Sequence, residues 1–185
     1  ELEIREQKEY ILELDQLYAV EMLNVMASDD VVDFFTQLPE ETAQCYLKGM
    51  DNEEALEVKD LLAYPEETAG AIMTTEFISV KSTNTVSEVM RQLRQEGPDA
   101  ETIYYIYVVD PSKRLVGVLS LRDLITSKLY EKIEDIMFIN VISVPVDMDQ
   151  EEVANLIKEY DFLAVPVINQ EGKLVGIITV DDVID

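Results

Sequence analysis

Through the first third of the chain, apolar positions recur at spacings of three and four. Val20, Leu23 and Met26, then Val31, Phe34, Phe35 and Leu38, keep this rhythm, which predicts short helices rather than strands. Local punctuation divides the run. Ser28 or Asp29 is placed to cap a helix beginning at Asp30, and Pro39 suits a first turn before Glu40 and Glu41. Asp51, with Glu54 three residues on, reads as a capping box ahead of Ala55, Leu56, Val58, Leu61 and Leu62. Caps at these intervals favour several helices packed pairwise over one long coiled coil. At Tyr64-Pro65-Glu66-Glu67-Thr68-Ala69-Gly70 the helical rhythm stops in a linker.

Beyond the linker the chain repeats itself. Ile72-Met73 recurs as Ile136-Met137, and Ile78-Ser79-Val80 recurs as Ile142-Ser143-Val144. Leu115-Val116-Gly117-Val118-Leu119-Ser120 returns as Leu174-Val175-Gly176-Ile177-Ile178-Thr179. The offset falls from 64 to 59, so the first copy holds five extra residues, placed around Gly97 to Glu101. Two copies predict a paired module rather than a solenoid. Each copy reads as a short strand, a capped helix, and an apolar strand (Ile103 to Val109, Leu163 to Ile168). A polar hairpin, a second strand and a further helix follow. The capping pairs are Thr85 with Glu88 and Asp149 with Glu152. The order β-α-β-β-α, twice, predicts two sheets facing one another. Met73 and Met137 hold equivalent places and are expected to be packing residues, and Cys45 is expected to be a buried structural thiol.

Composition narrows the chemistry. Lys and Arg number 14 against 39 Asp and Glu, a formal net charge of -25, which excludes nucleic acid and anionic membrane surfaces as partners. There is no His and one Cys, which leaves no usual zinc site and no Ser-His-Asp or Cys-His catalysis. A bound metal would be a hard, oxygen-liganded cation such as Mg²⁺ or Ca²⁺. Asp29 and Asp33, four apart, share one helix face; Asp182 and Asp185, three apart, share another. Asp161 follows the first helix of the second copy. These acids are either solvated side chains near helix starts, where the dipole favours them, or halves of a cation site.

The marks Gly117-x-x-Ser120-x-x-Asp123 and Gly176-x-x-Thr179-x-x-Asp182 resemble those of tandem CBS domains. With the acidic helical segment, the linker ending at Met73, Glu101 to Asp110 and Asp149 to Ala154, the chain resembles the cytosolic part of MgtE-type magnesium transporters. The resemblance implies an α+β multi-domain chain: an all-α superhelical N-terminal domain at 1–64, then a tandem pair of β-α-β-β-α domains. The linker and first CBS domain are expected at 65–128 and the second at 129–185, cut short in its last helix. It implies a Mg²⁺-sensing regulatory region, not an enzyme, on the cytoplasmic face of the membrane. A membrane domain lying outside this chain and a homodimer formed through the CBS pair are implied as well. The metal ligands it implies are Asp29, Asp33, Asp161, Asp182 and Asp185. Paired CBS domains commonly hold adenine nucleotides, and by the same resemblance ATP would meet Tyr105, Ser120, Arg122, Asp123, Phe162 and Thr179. The same residues admit a plainer account, with Tyr105 and Phe162 in the core and Ser120 and Thr179 capping helices. Asp181 stands where the first copy has Arg122, so the second cleft is expected to lack phosphate. The alternative function is a nucleotide-sensing CBS module acting on an enzyme or adaptor. A metal-dependent phosphohydrolase has no His or Gly-rich loop to support it.

Overall fold

The computed structural model describes Ile11, Leu14 and residues 16–183, without the side chains of Asn52 and Asp99. It divides at Glu66/Glu67 into two compact units.

The described part of the first unit contains helices α1 (Gln16–Leu23), α2 (Ser28–Thr36), α3 (Glu40–Gly49) and α4 (Asn52–Leu62). Each packs on the next but one, α1 against α3 and α2 against α4, as a superhelical stack does. Phe34 sits among Phe35 and Tyr46 with ring centroids 5.8 and 6.2 Å away. Four local expectations need correcting. Helix α2 begins at Ser28 rather than Asp30, with Ala27 at its N-cap, so Asp29 and Asp30 lie in its first turn, where the dipole favours them. Asp51 stands at the N-cap of α4 but its side chain makes no cap bond, and Pro39 stands at the N-cap of α3 rather than inside it. Cys45 is exposed, its sulfur accepting from Gln16 Nε2 at 3.1 Å. The buried positions Tyr46, Leu47 and Met50 follow the helical period and leave residue 45 on the outer face.

The second unit holds two three-stranded sheets with the same topology. In one, β1 (Ser79–Lys81) runs parallel to β2 (Tyr105–Val109), which is antiparallel to β3 (Leu115–Ser120). In the other, β4 (Val144–Pro145), β5 (Ala164–Ile168) and β6 (Leu174–Thr179) repeat that order. Both copies slip register at the same place, after the pairs Val108–Gly117 and Val167–Gly176. The helices are α5 (Ala69–Ile72), α6 (Val86–Glu96), α7 (Leu121–Thr126), α8 (Ile133–Ile136) and α9 (Gln150–Tyr160). The five extra residues fall after α6, where a 3-10 turn at Gly97–Asp99 precedes β2. Strands start later than their apolar runs, at Tyr105 rather than Ile103 and at Ala164 rather than Leu163, and the residues left outside them, Ile103, Tyr104 and Leu163, are solvent-exposed. The capping box Thr85–Glu88 forms, whereas Asp149 accepts from the Glu151 N–H instead of pairing with Glu152.

The middle strands β2 and β5 are buried on both faces, which is why they read as continuous apolar runs. In the first copy, helices cover one face: Val86, Val89 and Leu124 pack on Ile106, Val108 and Leu119. The other face meets the second copy through Tyr107, Leu174 and Ile177. The hairpin tips are joined, Leu115 N–H donating to Gly172 O and Leu174 N–H to Lys113 O, each at 3.1 Å. The segment leading into each copy crosses to the other. Thr74, ahead of β1, exchanges two backbone hydrogen bonds with Ile177 of β6 at 2.8 and 2.9 Å. Phe138, ahead of β4, does the same with Val118 of β3 at 2.8 and 3.0 Å. Met73 and Met137 thereby lie over Gly176 and Gly117 of the opposite copy.

The Tyr107 hydroxyl is buried with no hydrogen-bond partner among the described residues. Burial, with a smaller push from Tyr105, raises the phenol above its ordinary value of 10.0. Its removal in Tyr107→Phe is expected to raise the unfolding free energy by about 1 kcal/mol at neutral pH, because a buried polar atom without a partner carries its full desolvation cost. The unfolded chain releases this proton first, so the parent loses stability as pH rises above 10.0 toward the raised value. The variant lacks that loss. Denaturant melts at neutral pH and near pH ~11 check both limbs, and a variant less stable than the parent in either would contradict the assignment.

Candidate functional site

The candidate carboxylates fall on both units. On α2, Asp29 is half-buried with Oδ1 shielded from solvent, and Asp33, one turn later, is exposed. In the second unit, Asp182 lies in a 3-10 turn at Asp181–Val183 directly after β6. Its Oδ2 accepts from the Thr179 N–H at 2.8 Å and the Thr179 hydroxyl at 2.7 Å. Burial lifts this carboxyl above its ordinary value, the two bonds from Thr179 pull it back, and neighbouring Asp181 adds to the rise. Asp161 is exposed and ends α9 in the left-handed region, φ 55° and ψ 41°. Asp185 lies outside the described residues. Among the described residues no three acids, Cys or His gather closely enough to hold a metal. The donors are all carboxylate oxygens, a set that suits a hydrated hard cation such as Mg²⁺, which takes one or two carboxylates and keeps its waters.

The nucleotide candidates collect at one end of the first sheet. Tyr105 opens β2 directly opposite Ser120, which ends β3. Ser120 caps α7 through a reciprocal box with Asp123: the Asp123 N–H donates to Ser120 Oγ at 3.1 Å, and the Ser120 N–H and hydroxyl donate to Asp123 Oδ2 at 3.2 and 2.7 Å. Arg122 is exposed in the same turn. From the other copy, Phe162 approaches Tyr105 edge to face, centroids 6.4 Å apart and planes at 82°. Tyr105, Ser120, Asp123 and Phe162 are therefore linked across the two copies, with Arg122 exposed in the turn that holds Asp123. The rings are perpendicular, not the parallel walls of a sandwich. Thr179, paired with Ala164, repeats the place of Ser120 in the second copy, beside Asp181 in the position of Arg122. The capping role expected of Ser120 is thus present in the structure, whereas the Thr179 hydroxyl donates to Asp182 Oδ2.

Tyr160 carried no mark in the sequence, yet its ring stacks on Phe162 with centroids 5.4 Å apart and planes at 11°. The signal that would find it is the Tyr-Asp-Phe step at a helix end without Gly, where a left-handed Asp returns the chain on itself.

Comparison with known proteins places these features. Residues 1–67 match the model of the MgtE intracellular N domain, and residues 69–129 and 133–185 match that of the CBS domain. The magnesium transporter MgtE of Thermus thermophilus is 53% identical over 136 residues, 74% of this chain and 30% of that protein. That of Enterococcus faecalis is 56% identical over 134 residues, 72% of this chain and 30% of that protein. That of Bacillus subtilis is 42% identical over 163 residues, 88% and 36%. The chain thus spans about a third of the length of these relatives. A crystal structure of the soluble part of a magnesium transporter superposes with a TM-score of 0.94 at 50% identity, covering 96% of this chain and 70% of that one. The cytosolic domain of the Mg²⁺ channel MgtE in complex with ATP superposes with a TM-score of 0.94 at 45% identity, covering 100% and 75%. Among the described residues no helix is long and apolar enough to cross a membrane.

Proposed function

The chain belongs to the MgtE family of magnesium transporters, and on that footing we propose that it is the Mg²⁺-sensing regulatory region of such a protein, acting at the cytoplasmic face of the membrane. The observation that carries this reading is the division of the candidate carboxylates. Asp29 and Asp33 belong to one compact unit, and Asp161 and Asp182 to the other. Both parts are strongly acidic: residues 1–64 hold 4 basic and 17 acidic side chains (-13), and residues 65–185 hold 10 and 22 (-12). Like-charged bodies repel when ions are scarce. Mg²⁺ held by carboxylates of both favours the compact state in proportion to its tighter binding there. In the whole protein that compact state closes the channel. The regulatory region comprises a helical module at 1–64, a linker with the first CBS domain at 65–128 and a second at 129–185. Asp185 completes the ligand set, and the CBS pair dimerises through exposed apolar surface that includes Ile125, Leu129, Tyr130 and Phe138.

Small-angle scattering tests this. Adding Mg²⁺ in the roughly millimolar range of weak hard-ion sites is expected to reduce the radius of gyration, beyond any effect of NaCl at matched ionic strength. An unchanged radius, or equal compaction by NaCl, would overturn the reading.

A second ligand is favoured by a specific observation, the convergence of Tyr105 and Phe162 beside Ser120, Arg122 and Asp123. We propose that ATP or another adenine nucleotide binds there. The base meets the aromatic pair, the ribose meets Asp123, and the phosphates meet Arg122 and Ser120. Thr179 offers the equivalent hydroxyl in the second copy, where Asp181 in place of Arg122 disfavours phosphate.

A further inference from the structure

We propose that Tyr160 is a positioning residue for the adenine base, one that fixes the Phe162 ring by stacking on it. This rests on the nucleotide reading above. Helix α9 ends at Tyr160. Asp161 then takes left-handed angles, and the Phe162 N–H donates back to the Ile157 carbonyl at 3.1 Å. This is the reversal of a Schellman-type cap. It turns residues 160 and 162 to the same side, and their rings lie nearly parallel at 5.4 Å.

Phe162 is consequently held from two directions. Tyr160 stacks against it with an offset, and Tyr105 of the other copy meets the ring at 82°. Tyr160 itself is 50% exposed, so little of its placement comes from core packing. A ring stacked on one side by a neighbour is fixed in the plane it can present to a flat ligand. It also has less torsional freedom to lose when that ligand arrives, which is how preorganisation raises affinity. The ligand class this favours is a flat purine, and the part of the nucleotide concerned is the base alone. The phosphates would be met by Arg122 and Ser120 whatever Tyr160 does.

Calorimetry on the 185-residue chain with ATP and with inorganic tripolyphosphate separates these roles. Tyr160→Ala is expected to weaken ATP binding about 3- to 10-fold, the range of an aromatic pair, and to leave tripolyphosphate binding unchanged. Tyr160→Phe should bind ATP as the parent does, and Tyr160→Leu, which keeps apolar bulk without a ring, should behave like Tyr160→Ala. If the parent binds no ATP, the nucleotide reading falls and the role of Tyr160 with it. If the parent binds and Tyr160→Ala binds equally well, only the positioning role falls. Parallel losses for ATP and tripolyphosphate would make Tyr160 a structural residue, and loss in Tyr160→Phe would assign the effect to its hydroxyl. Either outcome overturns the proposal.

Discussion

Asp182→Asn is expected to keep the fold and remove most of the Mg²⁺ response, whereas Asp182→Ala is expected to lose the response and about 1 kcal/mol of stability as well. The difference follows from the turn the carboxylate closes and from the ligand role proposed for it. One oxygen closes the turn after β6, accepting from the N–H and hydroxyl of Thr179. An Asn carbonyl oxygen accepts the same two bonds, and burial, which raises the Asp carboxyl, does not penalise a neutral amide. What Asn cannot supply is the negative charge a hard divalent cation requires. Calorimetric titration with Mg²⁺, paired with thermal melts, reads both quantities. A full Mg²⁺ response in the Asn variant would remove Asp182 from the ligand set, and equal stability of the Ala variant would remove it from the cap.

The second large effect is structural. Gly176→Ala is expected to cost about 2–3 kcal/mol and Gly117→Ala about 1 kcal/mol, although the two glycines hold equivalent places in the repeat. The three atoms nearest a Cβ on Gly117 all belong to the Met137 side chain, Sδ at 2.5 Å, Cγ at 3.0 Å and Cβ at 3.2 Å. Met is unbranched and can rotate away. A Cβ on Gly176 would meet Met73 Sδ at 2.6 Å and also the Thr74 carbonyl oxygen at 2.9 Å. That carbonyl accepts from the Ile177 N–H and cannot withdraw without breaking the contact between the copies. Denaturant unfolding of the two variants gives the comparison directly. Equal losses would mean that the backbone contact at Thr74 yields as easily as a methionine side chain.

Repeats and element types were legible because they are written in local pattern, whereas caps were legible only in part. The offset change from 64 to 59 placed the insertion where a 3-10 turn occurs, and Thr85 with Glu88 formed the box their spacing implies. Features that depend on which surface an element meets were not legible. Cys45 neighbours two buried residues in sequence and yet faces outward. Ile103 and Tyr104 are apolar enough to extend β2, but they are exposed and the ladder starts after them. The methionines of the repeat did signal packing, but nothing local says that Met73 packs on the copy it does not precede. The site divides in the same way. Tyr105 and Phe162 could be named from residue type and resemblance and do meet, whereas Tyr160 required the handedness of Asp161, a property of one backbone torsion pair.

The crossing of leading segments bears on how the chain is made. Thr74 finds its partner in Ile177, about a hundred positions later, whereas Phe138 finds Val118 already synthesised. On the ribosome the first copy can therefore form its own three strands and even receive Phe138, but Met73 and Thr74 must wait for nearly the whole second copy to emerge. The earliest-made edge of the CBS pair is the last to be secured. A premature stop before residue 177 would release a chain with that edge still open, ready to pair with the same strand of another molecule.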